Sequence, residues 1–209
     1  MIKNILILAP HTDDGEFGCG GSIARFIEEG KKIYYVAFSV CEKSVPKGFP
    51  KNILEIEVKE ATKTLGIKPE NLLIYRYPVR EHPQNRQKIL EDMVLLREKI
   101  NPDLVFMPSK SDIHQDHRTV YEEGLRAFKQ ASILGYELPG NNLTFSTTAF
   151  VYLEEKHIVK KLEAFKKYKS QFHRPYANDE FIRSLARTRG VQIGTHYAEA
   201  FEAIRWIIK

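Results

Sequence analysis

Two short segments of this 209-residue chain concentrate imidazole and carboxylate side chains. Residues 11–16 read His-Thr-Asp-Asp-Gly-Glu, and residues 112–117 read Asp-Ile-His-Gln-Asp-His. Mixed nitrogen and oxygen donors of this kind suit zinc and other borderline divalent metal ions. Either segment alone is more typical of a turn with a helix-capping side chain, so a metal site requires that the fold bring the two segments together.

The sequence around these segments alternates between strand-like and helix-like patterns. Short apolar runs typical of buried strands cover residues 3–9, 33–40, 71–77 and 103–107. Apolar residues at helical spacing follow the runs, over residues 20–29, 53–65, 84–100 and 119–128. This alternation predicts an α/β fold with a Rossmann-like, mostly parallel sheet flanked by helices.

The pattern loosens beyond Gly135. An apolar stretch at residues 149–153 is compatible with one more strand, and helical patterns cover residues 158–168, 179–189 and 197–208. No repeat, linker or low-complexity tract interrupts the chain. We therefore expect one domain over residues 1–209, with a helical C-terminal third.

The two polar segments directly follow the first and fourth predicted strands. In the common doubly wound strand order these strands are neighbours, and ligands bind outside their carboxyl ends. The glycines at 18, 20 and 21 raise the alternative of a nucleotide site, but the third glycine of the dinucleotide fingerprint is replaced by Ile23. Carboxylates at that helix N-terminus would also repel a phosphate. The position of the two polar segments after neighbouring strands therefore favours a metal site over a nucleotide site. The glycines are expected to allow close packing of the helix.

Composition excludes several classes of protein. With 43% hydrophobic and 28% charged residues, the chain is neither collagen-like nor disordered. Its apolar runs are shorter than the roughly 20 residues of a membrane helix, and no cleavage site follows Met1, so neither a transmembrane segment nor a signal peptide is predicted. The two cysteines, Cys19 and Cys41, form no disulfide framework, and a cytoplasmic location is expected.

The net charge of +5 is unevenly distributed. Residues 156–189 contain ten Lys or Arg against three Asp or Glu. Because the excess is confined to one segment, it indicates a solvated helix face, with a phosphate-binding or anionic-surface patch as the alternative. No nucleic-acid partner is expected.

The two polar segments, with Gly18-x-Gly20-Gly21 after the first, resemble those of the LmbE-like, or PIG-L, N-acetylglucosaminyl deacetylases. The likeness continues at residues 162–165, 170–172 and 197–201 and so covers nearly the whole chain. It implies a metal-dependent hydrolase that releases acetate from an N-acetylated amino sugar or its conjugate. A small-molecule amino sugar is then the expected partner, and the sequence is compatible with a homo-oligomer.

The resemblance also implies roles for individual residues. His11, Asp14 and His117 would hold the metal ion, Zn²⁺ in the first instance and Fe²⁺ as the alternative. Asp13 would be the general base that accepts a proton from water, with Glu16 as the next candidate. The spacing agrees, since consecutive aspartates cannot both point at a metal in the same way.

Two further residues of the second segment receive roles from the resemblance. His114 would act as a cation that polarises the tetrahedral intermediate or protonates the leaving amine. Asp116 would orient an imidazole, with His114 as the first candidate, and favour its charged form. His114 and His117 are three residues apart, so one helical turn can bring both to one cavity.

Substrate contacts are where the sequence departs from the family. Many members have an arginine three residues before the position of Glu57, and this chain has Leu54 there. Arg80, or Arg76, is the candidate replacement, with surface ion pairing as the alternative. Tyr197 matches a family tyrosine near the pocket, with an ordinary core tyrosine as the alternative. Of the histidines outside the two segments, His82, His157 and His173 are predicted to be solvated, and His196 is predicted to lie at the rim or surface.

Two other functions remain open at this stage. The same metal site could hydrolyse another amide, such as an N-acyl group of a natural product. A non-catalytic carbohydrate-binding protein is the third hypothesis, and it predicts a degraded site, whereas every expected site residue is present here.

Overall fold

A computed structural model, which describes residues 2–208, contains a seven-stranded sheet flanked by six α-helices. The strands are β1 Asn4–Ala9, β2 Lys32–Ala37, β3 Leu72–Ile74, β4 Leu104–Pro108, β5 Ser132–Tyr136, β6 Ala149–Leu153 and β7 Tyr197–Arg205. The helices are α1 Asp14–Glu28, α2 Ile53–Leu65, α3 Arg86–Ile100, α4 Gln115–Ala127, α5 Glu155–Phe165 and α6 Asp179–Val191.

The strand order is β3-β2-β1-β4-β5-β7-β6, with the first five strands parallel and β7 antiparallel to both of its neighbours. β1 is an inner strand: Ile7 pairs with Tyr35 of β2 on one side and with Phe106 of β4 on the other. Its continuous apolar run is explained by helices on both faces of the sheet, which leave Ile5 and Leu8 with no solvent exposure. The predicted Rossmann-like α/β fold is confirmed, and β1 and β4 are adjacent as expected.

Two elements differ from the sequence-based predictions. The sequence patterns do not predict β5, because a five-residue segment that contains a serine and a glycine carries little periodic signal. Gly135 is required there: a Cβ atom would lie 2.8 Å from the backbone of Ser109 at the end of β4. The predicted helix at 197–208 is wrong, since Tyr197–Arg205 is a strand. Its alanines and glutamates favour a helix, but pairing with both β5 and β6 outweighs that local preference. The C-terminal third therefore combines α5 and α6 with two strands.

The first helix begins earlier than predicted, at Asp14, and has a kink at Cys19. The glycines of this region do allow close packing. A Cβ atom on Gly18 would lie 2.5 Å from the ring of Tyr136. The close approach holds the start of α1, with Asp13 and Asp14, against the carboxyl end of β5.

Candidate active site

Three donor atoms from the two polar segments form a nearly equilateral triangle beyond β1 and β4. The Oδ2 atom of Asp14 lies 3.2 Å from His11 Nδ1 and 3.2 Å from His117 Nε2. The two imidazole nitrogens are 3.0 Å apart. Ligand atoms about 2.0–2.1 Å from a tetrahedral zinc ion lie roughly 3.3 Å from one another. The triangle therefore fits a zinc-like ion. His114 adds a third imidazole, and the ring nitrogens of the three histidines lie within 4.8 Å of one another.

Helix starts position these side chains. Asp14 is the first residue of α1, and its carboxylate also accepts a hydrogen bond of 2.8 Å from the backbone N–H of His11. His114 is the N-cap of α4, and its Nδ1 accepts the backbone N–H of Asp116 at 3.1 Å. His117 follows in the first turn. Each polar segment is thus a short connection from a buried strand to a helix, which restricts the conformations of its side chains.

Each of the two triangle histidines contacts a second carboxylate through its other ring nitrogen. His11 Nε2 lies 3.1 Å from Asp116 Oδ2, and His117 Nδ1 lies 2.7 Å from Asp112 Oδ2. Carboxylates in this position fix the orientation of a ligand imidazole and strengthen it as a donor. Asp116 is fully buried and also accepts backbone N–H groups of Arg80 (2.6 Å) and His82 (3.2 Å). These contacts help to hold the pKa of Asp116 at about 2, although burial opposes that shift.

The predicted relation between Asp116 and His114 is not observed. The Asp116 carboxylate faces His11, and only its backbone contacts His114. Burial, together with the neighbouring imidazoles of His117 and His11, lowers the pKa of His114 to about 4. His114 is therefore neutral at neutral pH, in contrast to the expected cation.

Asp13 and Asp14 are adjacent in sequence but differ in their environments. Burial and the charge of Asp14 raise the pKa of Asp13 to about 6. Burial alone would raise the pKa of Asp14 as well, but the charges of His117 and His11 hold it well below its usual value. Asp14 is therefore a permanent anion of the site, whereas Asp13 can take up and release a proton near neutral pH.

Glu16 belongs to a buried network beneath the site. Its carboxyl group contacts the hydroxyls of Tyr35 and Tyr168, the latter at 2.9 Å. Both tyrosines also contact the carbonyl oxygen of Thr12, at 2.9 Å and 2.7 Å. Burial raises the pKa of Glu16 to about 8, because the hydrogen bonds compensate only part of the lost solvation. This geometry supports a structural role for Glu16, which is neutral and fixes the loop before Asp13.

The triangle opens into a cavity of about 360 Å³, within the usual range of small-molecule sites. Its wall contains predicted site residues from both segments together with residues from elsewhere in the chain: His11, Thr12, Asp13, Asp14, Cys41, Ser44, Leu54, Val79, His114, His117, Gly140, Asn141, Gln171, Arg174 and Tyr176. A smaller chamber of about 60 Å³ adjoins it at Asp13 and Asp14, and Phe17, Leu138 and Tyr176 provide its apolar wall.

The two predicted substrate contacts are not part of this wall. Arg80 has an exposed side chain and a left-handed backbone with φ of 69°, and its contact with the site is through its backbone N–H to Asp116. Tyr197 begins β7 in the core, where its hydroxyl lies 3.4 Å from Arg183. Neither residue is among those that line the cavity, because the rim position of Arg80 and the motif position of Tyr197 did not specify where their side chains lie.

Sequence reasoning missed several residues around the site. Asp112 was within the second segment, and its spacing from His117 was the available signal. No sequence signal pointed to Arg174 or Tyr176, since they lie outside both polar segments, in the connection before α6. His82 was predicted to be solvated, which is wrong: it is fully buried beside His11, with ring centroids 6.0 Å apart. Neither His82 ring nitrogen has a hydrogen-bond partner among residues 2–208, and burial lowers the pKa of His82 to about 4.

Comparisons with known proteins find relatives that match most of the chain. The model of the PIG-L family, described as GlcNAc-PI de-N-acetylase, matches residues 6–128, which include both polar segments. An uncharacterized deacetylase of Escherichia coli, YaiS, is 32% identical over 80% of this chain and 91% of its own length. A probable N-acetyl-α-D-glucosaminyl L-malate deacetylase 2 of Bacillus anthracis is 29% identical over 81% of this chain and 82% of its own length.

Among solved structures, the conserved protein TT1542 of Thermus thermophilus has the same fold. It superimposes with a TM-score of 0.79 and 28% sequence identity, over 100% of this chain and 97% of its own. No helix within residues 2–208 combines the length and apolar character needed to cross a bilayer.

Proposed function

The chain belongs to the PIG-L family, and from this premise we propose that residues 1–209 form one zinc-dependent deacetylase domain. Its reaction is hydrolysis of the N-acetyl amide of an amino sugar or amino-sugar conjugate, with release of acetate. The observation that carries the proposal is the triangle of His11, Asp14 and His117, with Asp13 beside it at the wall of one cavity.

His11, Asp14 and His117 would hold the ion, and Asp116 and Asp112 would orient the two imidazoles from outside. The alternative donor set consists of the three histidines, and it is less well supported. The Asp14 carboxylate oxygen lies 3.2 Å from the nearer ring nitrogen of His11 and of His117, whereas the donor nitrogens of the three histidines are separated by up to 4.8 Å. When bound, zinc supplies a Lewis acid that lowers the pKa of water and polarises the amide carbonyl.

Asp13 is the proposed general base. With a pKa near 6 it is ionised at neutral pH, so it can accept a proton from the attacking water at a carboxylate oxygen. The same proton can then pass to the nitrogen of the leaving amine, after which Asp13 is again ionised. The proton balance closes without a second acid.

His114 is the proposed donor to the developing oxyanion. Because its Nδ1 accepts the backbone N–H of Asp116, the neutral ring carries its proton on Nε2. An N–H donor of this kind stabilises charge on the carbonyl oxygen without being a cation. A neutral imidazole is a poor source of the proton for the amine, which again assigns that step to Asp13.

The adjoining chamber favours acetyl over longer acyl groups. About 60 Å³ holds only a few water-sized groups, and its wall includes the aromatic residues Phe17 and Tyr176. A methyl group beside Asp13 suits that space, whereas a long acyl chain does not. The size of this chamber therefore makes hydrolysis of other amides the second candidate function, after deacetylation.

The test is acetate release by zinc-loaded protein from N-acetylglucosamine, diacetylchitobiose and a UDP-linked N-acetylamino sugar. We expect release from at least one substrate, loss of activity on chelation and recovery with Zn²⁺. His117→Ala should be inactive, and His196→Ala, which removes an exposed histidine, should not. Activity that survives exhaustive removal of metal would contradict the proposal.

A further inference from the structure

Arg174 forms no ion pair within residues 2–208 and lines the cavity; the side chain of Arg80 also forms no ion pair there, but it lies outside the cavity wall. Eight of the twelve arginines form ion pairs with Asp or Glu. Arg187 and Arg205 donate instead to backbone carbonyl groups. The one hydrogen bond that Arg174 makes to another side chain within residues 2–208 is a long contact of 3.4 Å from Nε to Gln171 Oε1. Of the described arginines, Arg174 alone lines the cavity next to the metal-binding triangle.

Arg174 is also the one lining residue, within the described chain, that carries a permanent positive charge. The guanidinium has five N–H donors in a fixed planar arrangement suited to carboxylate and phosphate groups. Nearly all of these donors are available to a ligand in the cavity.

The backbone on both sides of Arg174 is anchored, although its side chain is exposed. Before it, the backbone N–H and the hydroxyl of Ser170 bind the buried carboxylate of Glu57 at 2.9 Å and 2.6 Å. After it, the ring of Tyr176 packs on Phe17 with centroids 5.0 Å apart. Glu57 lies one helical turn from Leu54, which lines the same cavity. The anchors hold Arg174 at the cavity wall, so its charge is available at a defined place.

We propose that Arg174 binds a carboxylate or phosphate in the part of the substrate that is attached to the amino sugar. The inference rests on the proposed function and narrows its substrate class to anionic amino-sugar conjugates. The basic segment at residues 156–189 adds long-range attraction for such molecules. Within residues 2–208, no other side chain in the cavity wall carries a permanent positive charge that could replace Arg174.

The experiment compares substrates that share one sugar and differ in the attached group. The neutral probe is methyl N-acetyl-α-glucosaminide, and the anionic probes are N-acetyl-α-glucosaminyl L-malate for carboxylates and N-acetylglucosamine 1-phosphate for phosphates. Arg174→Gln should raise KM for an anionic probe by about 10-fold with little change in kcat, because the anchor acts in the ground state. KM for the neutral probe should stay the same. The anionic probe whose KM rises in Arg174→Gln shows whether Arg174 binds a carboxylate or a phosphate.

Arg187→Gln is the matched control, since it removes the same charge from the same basic segment. It should leave KM for every probe unchanged. Equal effects of the two variants would show a general charge effect and overturn the assignment of Arg174. The assignment would also be overturned if Arg174→Gln left KM for the anionic probes unchanged, or if the protein hydrolysed the neutral probe alone.

Binding measurements separate this proposal from the proposed function. Calorimetry with the deacetylated anionic products should give a Kd about 10-fold weaker for Arg174→Gln than for the natural chain, and the difference should shrink at high salt. If no probe is hydrolysed but this difference is present, the deacetylase function fails and the anion site stands. If hydrolysis occurs and the difference is absent, the anion site fails and the function stands.

Discussion

Asp112 Oδ2 lies 2.7 Å from His117 Nδ1, on the ring nitrogen opposite the one that faces Asp14. Burial disfavours a charged His117, but the Asp14 charge and the hydrogen bond to Asp112 outweigh it and raise the pKa of His117 to about 10. The imidazole is thus held between two carboxylates before any metal binds. This arrangement prepares His117 as a ligand whose orientation is already determined.

Replacement of the outer carboxylate should weaken metal binding without removing a ligand. Asp112→Asn preserves the shape of the side chain but not its charge, so zinc affinity should fall about 10–100-fold. Competition with a chromogenic chelator measures the change. Asp179→Asn, at an exposed position of α6, is the control and should bind zinc as the natural chain does. Equal affinities for Asp112→Asn and the natural chain would mean that Asp112 acts only on the local backbone.

The two possible donor sets make opposite predictions for His114. If His11, Asp14 and His117 hold the ion, Asp14→Ala should lose most of the bound metal and His114→Ala should retain it. Metal content of purified protein by mass spectrometry measures both. Loss of metal in His114→Ala with retention in Asp14→Ala would instead support the set of three histidines.

Asp13→Asn separates the base from the ligands. An amide cannot accept the proton of water, so activity should fall by about 10²–10⁴-fold while metal content is unchanged. The pair of measurements is acetate release and metal content on the same preparation. Near-normal turnover would move the base role elsewhere, whereas loss of metal would make Asp13 a ligand.

Metal binding should release protons and tighten as the pH rises. The pKa of His117 near 10 means that the metal-free site is protonated at neutral pH. Zinc must displace that proton, so affinity should increase with pH up to about that value. Calorimetry in buffers of different ionisation enthalpy counts the protons released. A pH-independent affinity between pH 6 and 9 would contradict this explanation.

Glu16 should make the folded state less stable as the pH rises. Its pKa is about 8 in the folded chain and near 4.5 when unfolded, so between these values the unfolded state loses the proton first. The free energy of unfolding should then decrease by at most about 1.4 kcal/mol per pH unit. Asp13 and His117 also have raised pKa values, so Glu16→Gln should make the decrease shallower than in the natural chain without abolishing it, whereas the exposed control Glu163→Gln should keep the natural slope. Urea unfolding from pH 5 to 8, with a chelator present, measures the slopes, and parallel slopes for Glu16→Gln and the natural chain would show that Glu16 is ionised.

The amino-acid sequence alone determined the fold class and the approximate place of the site. Buried parallel strands require continuous apolar runs, and β1 and β4 have them. The polar residues directly after these runs then lie at the carboxyl edge of the sheet, where His11 and His117 meet. Both conclusions depend on patterns that are local in the chain.

Which side chains face each other across that edge depends on the tertiary structure. Asp116 binds His11 and the backbone of the loop at Arg80, and Arg174 enters the cavity wall from the connection before α6. The strand β7 is likewise formed by its neighbours, against its own helical preference. These contacts join residues that are far apart in sequence, and their energies depend on packing and burial in three dimensions. No periodicity or short motif encodes them, which is why His82 is buried where a solvated residue was expected.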